Sequence, residues 1–218
     1  IGCGEGHNTR LVAGRGAKMT AIDIASVFVE HARGADRCQP AGIEYRVANA
    51  SDLPFSAESF DFVMATMSLM DMPDHPRALA EAFRVLKPGG FFQFSISHPC
   101  FATPRWQWSC NQADKRDAMI CGDYFRELNG EIEQWMFSAA PAGMKARFPE
   151  FRIPRFTRTL SSWLNLLIET GFAVERFEEP HADEEMVKGY PALHDTRVIA
   201  HVLMVRCRKR PSDRRAPA

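Results

Sequence analysis

The sequence predicts an α/β protein built on a doubly wound, mostly parallel sheet, and three observations carry that prediction. Strand-like and helix-like segments alternate through residues 1–97, and such alternation produces a parallel sheet with helices on both faces. The chain opens on a glycine loop, Gly2-Cys3-Gly4-Glu5-Gly6, which permits a tight turn from a strand into a helix. The alternation stops at residue 98, resumes near residue 158 and closes on two strand-like segments. These read as a hairpin, so the last strand is expected to be antiparallel.

Taken in order, residues 8–13 begin a helix that Gly14 and Gly16 can end. Residues 18–23 read as a strand ending in Asp23. Residues 25–32 have helical spacing, with Val27, Phe28 and His31 on a shared side. Residues 43–48 and 60–65 are further strands, and the apolar run Phe62-Val63-Met64 is expected of a strand covered on both faces. Residues 77–86 form a helix with Leu79, Ala82, Phe83 and Leu86 on one stripe, while His75 before it reads as solvent-facing. Pro88-Gly89-Gly90 is a turn, and residues 91–97 are the next strand. Residues 161–170 form a helix ended by Gly171, its buried stripe being Trp163, Leu164, Leu167 and Ile168. Residues 173–177 and 197–205 are the closing strands, with a long connection over residues 178–196.

The interruption at residues 98–156 contains Trp106, Trp108, Trp135, Tyr124 and several phenylalanines, with turn residues between them. It reads as an inserted, aromatic-rich cap. The organisation expected is a first half at 1–97, a cap at 98–157, a last helix and closing strands at 158–207, and a flexible basic tail at 208–218. Almost no strand precedes the glycine loop, and the first residue is Ile1 rather than Met. The expectation is a fragment whose first strand is largely missing.

Composition excludes several classes of partner. The chain has 218 residues, 45% hydrophobic and 25% charged, with 27 Lys plus Arg against 27 Asp plus Glu. A neutral balance lacks the basic face that nucleic-acid binders carry. The basic run Arg206-Cys207-Arg208-Lys209-Arg210 with Arg214-Arg215 lies among prolines and alanines and reads as a solvated terminus. No stretch approaches the ~20 apolar residues that span a bilayer, and no signal peptide is visible, so a cytoplasmic protein is expected. The six cysteines form no Cys-x-x-Cys pair and read as free thiols.

The glycine loop lets a ligand lie against bare backbone, and the helix N-terminus behind it suits an anionic group. Asp23, at the end of the second predicted strand, can accept hydrogen bonds from both hydroxyls of a ribose. It can equally cap the helix that follows. Loop and carboxylate together imply an adenosine-containing ligand without choosing between a nicotinamide dinucleotide and S-adenosylmethionine. The third glycine comes one residue earlier than in the dinucleotide fingerprint Gly-x-Gly-x-x-Gly.

Three further segments choose. Asn49-Ala50-Ser51-Asp52-Leu53-Pro54-Phe55, Ser59-Phe60-Asp61-Phe62-Val63 and Arg84-Val85-Leu86-Lys87-Pro88-Gly89-Gly90 resemble class I S-adenosylmethionine-dependent methyltransferases. The likeness is to their small-molecule branch, which includes the ubiquinone/menaquinone biosynthesis enzymes. It covers residues 1–97 and implies a Rossmann-like fold and S-adenosylmethionine as cofactor. Gly2, Cys3 and Gly4 would then line the methionine and ribose part of the cofactor. Asp23 would hold the ribose diol and Ile24 would pack on the adenine. Asn49 stands where the family usually has Asp, and its side-chain oxygen can still accept from the adenine amino group. Ala50 would offer its backbone N–H to the ring, and Thr66 and Met67 would border the methionine end.

Methyl transfer is an in-line attack that needs position and a dry site more than a covalent catalyst. Two residues are candidate bases for an acceptor that arrives protonated. His98 follows the fifth predicted strand and titrates near neutrality, but it can also stabilise the turn before Pro99. Asp71 follows the fourth and can also serve as a cap or surface contact. Trp135, Phe137, Arg155 and Phe156 are candidates for the wall of an acceptor site fitted to a small organic molecule. His98, Cys100, Cys110 and Cys121 are too loosely spaced for a zinc site, so no metal is expected. The alternatives are a nicotinamide-dependent oxidoreductase and a protein that binds S-adenosylmethionine without catalysis.

Overall fold

The computed structural model describes residues 1–38, 40–136, 142–147 and 149–211. The glycine loop leads into α1 (His7–Ala13), followed by β1 (Thr20–Asp23), α2 (Ser26–Cys38), β2 (Glu44–Val47) and β3 (Phe60–Thr66). A 3-10 turn over Leu69–Asp71 precedes α3 (His75–Val85) and β4 (Leu86–Ser97). The cap contains β5 (Arg105–Cys110), β6 (Arg116–Gly122), β7 (Asn129–Trp135), α4 (Ala142–Arg147) and β8 (Phe151–Phe156). Then come α5 (Leu160–Thr170), β9 (Phe172–Glu178), α6 (Glu184–Gly189) and β10 (Val202–Lys209).

The layer of strands has two parts. β1 and β2 pair in parallel, and a four-stranded sheet runs in the order β3-β4-β10-β9. β3 and β4 are parallel, whereas β10 is antiparallel to both β4 and β9. The expected antiparallel last strand is therefore present, inserted between two strands of the opposite direction. Between β1 and β3 lies a slot of about 390 Å³, bordered by Met19, Ala21, Phe60, Phe62 and Met64. Residues 1–3 bridge it, with the Ile1 nitrogen donating to Met64 O (2.8 Å) and the Cys3 N–H donating to Ile22 O (2.9 Å). This slot explains one departure from expectation. Val63 and Ala65 on one face of β3 are buried, while Phe62 and Met64 on the other are only half-buried.

The main core joins α3, α5 and the four-stranded sheet through Leu79, Val85, Phe92, Phe94, Trp163 and Leu167. Each such side chain, fully buried, contributes about 1.5–3 kcal/mol through the water it no longer meets. α3 begins where Asp74 accepts the Arg77 N–H (3.3 Å), and α5 where Thr159 accepts the Ser162 N–H (3.1 Å). A smaller core of Ala21, Val29, Ala32 and Tyr45 fixes α2 on β1 and β2.

Several sequence expectations are corrected. α2 continues to Cys38 and buries Val29 and Ala32, whereas Val27 and Phe28 are exposed. His75 is buried, with its ring 4.8 Å from that of Trp163. Ile168 is exposed, because the buried stripe of α5 follows Trp163 and Leu167. The expected turn at 88–90 is a bulge within β4: Phe60 pairs with Leu86 and Phe62 with Phe91, so the residues between loop out. The last strand begins at Val202, not 197, since a 3-10 turn occupies Pro191–Arg197. Arg208 and Lys209, expected in a free tail, belong to β10 and donate to Gly89 O (2.6 Å) and Leu86 O (2.8 Å) respectively. The remainder of that tail, from residue 212, lies outside the described residues.

The interruption at residue 98 is two antiparallel hairpins, β5–β6 and β7–β8. Arg155 ties the second to the chain before the first by donating to Ala102 O (3.0 Å) and Thr103 O (2.8 Å). The Thr157 hydroxyl accepts the Leu128 N–H (2.8 Å) and donates to Arg126 O (3.0 Å), closing the base of β7–β8.

Candidate functional site

The glycine loop is shaped by close approach. Gly2 has φ +62°, and a Cβ there would stand 2.4 Å from Ser68 Cβ. Ser68 in turn donates to Ile1 O (3.1 Å), so loop and the end of β3 interlock. Gly4 has φ +53° and open space where a Cβ would be. The Asp23 carboxylate accepts the Gly4 N–H (2.8 Å) on one oxygen and the Ala25 N–H (3.0 Å) on the other. Both roles read for Asp23 meet here: it joins the loop to the start of α2, and each oxygen keeps a lone pair for a further donor.

These groups border a cavity of about 730 Å³, inside the range of small-molecule sites. Gly2, Gly4, Asp23, Ile24, Asn49, Ala50, Met67 and Asp71 are among its walls. Ile24 is 73% exposed and Phe28 51% exposed, so both offer apolar surface to whatever enters. Asn49 Oδ1 accepts the Ser51 N–H (2.9 Å), which fixes the turn after β2. Two expected members are elsewhere. Thr66 shares a face of β3 with Phe60, Phe62 and Met64 by the two-residue period and borders the slot. Cys3 also borders the slot and packs on the smaller core. Burial pushes its thiol above the ordinary range. Phe28 is not among the site residues the sequence suggests, where helical spacing places it only on a shared side with Val27 and His31.

A second cavity of about 780 Å³ lies beneath the hairpins, with Trp106, Trp108, Phe101, Phe156 and His201 among its walls. Arg155 and Phe156, expected there, are present. Phe137 and the side chain of Trp135 lie outside the described residues. The two cavities share Met67 and Asp71. Met67 has φ +50°, unusual for a side chain of its size, and is held there by its N–H donating to Ser95 O (2.9 Å). Such backbone strain persists where surrounding structure enforces it, often at functional sites.

Asp71 is solvent-accessible as a residue, but the crowding around its carboxyl pushes it up from 3.8 to about 6. An acid whose folded value is raised is ionised more readily in the unfolded chain. Stability therefore falls as pH rises from about 4 to about 6. Asp71→Asn should raise the thermal midpoint at pH 7.5, by an effect held below about 1 kcal/mol by solvent screening, and leave it unchanged at pH 4. Equal shifts at both pH values in thermal melts would contradict this assignment.

His98 is buried and borders neither cavity. Its Nε2–H donates to Glu179 (2.9 Å) and its Nδ1 accepts the Cys100 N–H (3.2 Å). With both ring nitrogens committed, it holds the turn after β4 against the end of β9. His98→Ala should cost about 2 kcal/mol, lowering the midpoint by about 4–8 °C, with ligand affinity of the folded protein unchanged. Lost turnover at undiminished stability would restore the catalytic role. His201, unforeseen in the sequence, does border the second cavity, its ring 5.9 Å from Trp108. Burial lowers its imidazole below the ordinary value, so it is held neutral.

The glycine loop, the strand-end carboxylate and the antiparallel strand within a mixed sheet give a fold similar to that of S-adenosylmethionine-dependent methyltransferases of known structure. The structure superposes on a methyltransferase of that kind from Mesorhizobium loti with a TM-score of 0.76 and 26% identity, covering 95% of this chain and 88% of the other. Residues 1–94 match the family model described as a methyltransferase domain. A demethylmenaquinone methyltransferase from Tropheryma whipplei is 40% identical over 141 residues, 62% of this chain and 58% of the relative. An O-methyltransferase, cnsE, from Penicillium expansum is 40% identical over 110 residues, 48% of this chain and 40% of the relative. The chain thus spans about half the length of the curated relatives it matches. These matches do not favour the oxidoreductase alternative. No helix among the described residues is long and apolar enough to cross a membrane.

Proposed function

We propose that this chain transfers a methyl group from S-adenosylmethionine to a small organic acceptor. The observation that carries the reading is the meeting of two cavities at Met67 and Asp71, one bordered by the glycine loop and Asp23, the other by the hairpins. S-adenosylmethionine, when bound, supplies a methyl group made electrophilic by a positively charged sulfur. The residues of the first cavity fit it. Asp23 holds the ribose hydroxyls, Gly2 and Gly4 leave bare backbone for the methionine portion, and Ile24 and Phe28 cover the adenine. Asn49 and Ala50 meet the adenine edge.

On the acceptor side, residues of the hairpins β5–β6 and β7–β8 line the second cavity, and a site shielded from water raises the effect of each charge inside it. Asp71, with its carboxyl at about 6, can take a proton at neutral pH from an acceptor near the junction. Neutral His201, which also lines the second cavity, offers a second proton acceptor. The relatives named for a quinone precursor and for O-methylation support a small-molecule acceptor. A cytoplasmic setting belongs to the same reading and is supported by six free cysteines. Calorimetric titration with S-adenosylmethionine and with S-adenosylhomocysteine tests the proposal. Binding of both is expected, and no heat with either at high protein concentration overturns it.

A further inference from the structure

Three arginines border the cavity beneath the hairpins, and their surroundings separate them. Arg155 is paired with Glu133 (3.3 Å) and spends its other donors on Ala102 O and Thr103 O. Arg116 is paired with Asp195 and lies over the Trp108 ring, 5.0 Å from its centroid. Arg158 has no acidic partner among the described residues. Its Nη1 donates to Leu128 O (3.2 Å) and Thr157 O (2.7 Å), which pins one end of the guanidinium to the backbone. The donors on Nε and Nη2 make no hydrogen bond among the described residues.

The acidic groups that face this cavity are already accounted for. Glu133 is engaged by Arg155, and Asp71, which lines both cavities, forms no ion pair with Arg158 among the described residues. Arg158 is thus a half-buried cation, held still, with donors to spare and no counter-ion of its own. A partly desolvated charge of this kind is stabilised by an anion that arrives from outside. The planar fork of a guanidinium matches a carboxylate with two parallel hydrogen bonds. The remaining walls are flat and apolar: Phe101, Trp106, Trp108 and Phe156.

We propose that Arg158 is the recognition point for a carboxylate on the acceptor, and that the acceptor class is a small aromatic carboxylate. The proposal rests on reading this cavity as the acceptor side of a methyltransferase. Immobilising the guanidinium beforehand means that little side-chain freedom is lost when the carboxylate docks. The ring of the acceptor then lies among the aromatic walls, and the carboxylate at Arg158 sets which part of it points toward Met67 and Asp71.

The test uses 2-naphthoate and its neutral near-isostere 2-naphthamide, titrated calorimetrically into the whole chain. The wild-type protein should bind 2-naphthoate at least about tenfold more tightly, as expected of one charge-assisted pair. Arg158→Gln should bring 2-naphthoate down to the affinity of 2-naphthamide and leave 2-naphthamide unchanged, which shows the cavity intact. Should the glutamine variant bind neither probe, Arg158→Lys decides. It keeps the charge without the fork, and a preference reduced to about threefold or less supports the proposal. Equal affinity for the two probes in the wild-type protein, binding of neither, or an undiminished preference in either folded variant overturns it. S-adenosylhomocysteine titrated into the same proteins separates the two readings. Its failure to bind overturns the methyl-transfer function, while the preference between the naphthyl probes judges Arg158 by itself.

Discussion

Asp23→Ala should weaken the binding of S-adenosylhomocysteine by about 100-fold or more. Two hydrogen bonds from ribose hydroxyls to a carboxylate contribute at least about 1.5 kcal/mol each, and 3 kcal/mol corresponds to roughly 150-fold in affinity. The carboxylate is also structural, since it accepts the Gly4 and Ala25 N–H groups. Its removal should therefore lower stability as well, by about 2 kcal/mol, or about 4–8 °C in the thermal midpoint of a chain of this size. The two effects are separable by titrating at a temperature well below the variant's midpoint. Undiminished affinity there would refute the ribose role and leave Asp23 as a brace between the loop and α2. Asp23→Asn sharpens the result, because the amide keeps one acceptor oxygen. It should recover part of the stability and little of the affinity.

Gly2→Ala should cost about 3 kcal/mol of stability and abolish cofactor binding. A new Cβ would stand 2.4 Å from Ser68 Cβ and 2.7 Å from Ser68 Oγ, at a backbone φ of +62° that side chains seldom adopt. The left-handed conformation accounts for about 1–2 kcal/mol and the overlap for about 1–3 more. Ser68 sits on the turn that carries Met67 into the junction of the two cavities, so displacing it alters both sides of the site. The double variant Gly2→Ala/Ser68→Gly removes the overlap but not the strained φ. It should regain about half of the lost stability in chemical denaturation. No recovery would show that φ alone, and not the contact with Ser68, restricts this position.

The parts of the fold that were legible in the sequence are those where a local pattern is also the tertiary one. α3 and α5 carry apolar stripes at helical spacing, and Leu79 and Ala82 of the first and Trp163 and Leu167 of the second are buried. β3 and β4 are apolar runs bounded by turn residues, and both are strands. The hairpins were not legible. The residues of β5 and β6 are mostly exposed on both faces, so no two-residue alternation marks them. α2 misled for a related reason: its largest apolar residues, Val27 and Phe28, face outward, and the small Ala32 faces in.

For the site, the sequence by itself names the residues proposed for the cofactor side. Gly2, Gly4, Asp23, Ile24, Asn49 and Ala50 lie in short segments at strand ends, and a strand end places its residues beside the ligand in any sheet of this kind. Only the tertiary structure brings together the residues proposed for the acceptor side. There His98 spends its two ring nitrogens on Glu179 and Cys100, and Thr66 and Cys3 border the slot beside β3. The fold also brings in His201 and Arg158 from segments far apart in the chain. The physical reason is that a side chain's chemistry depends on which of its donors and acceptors remain unspent after folding. That is settled by long-range partners which no local pattern records.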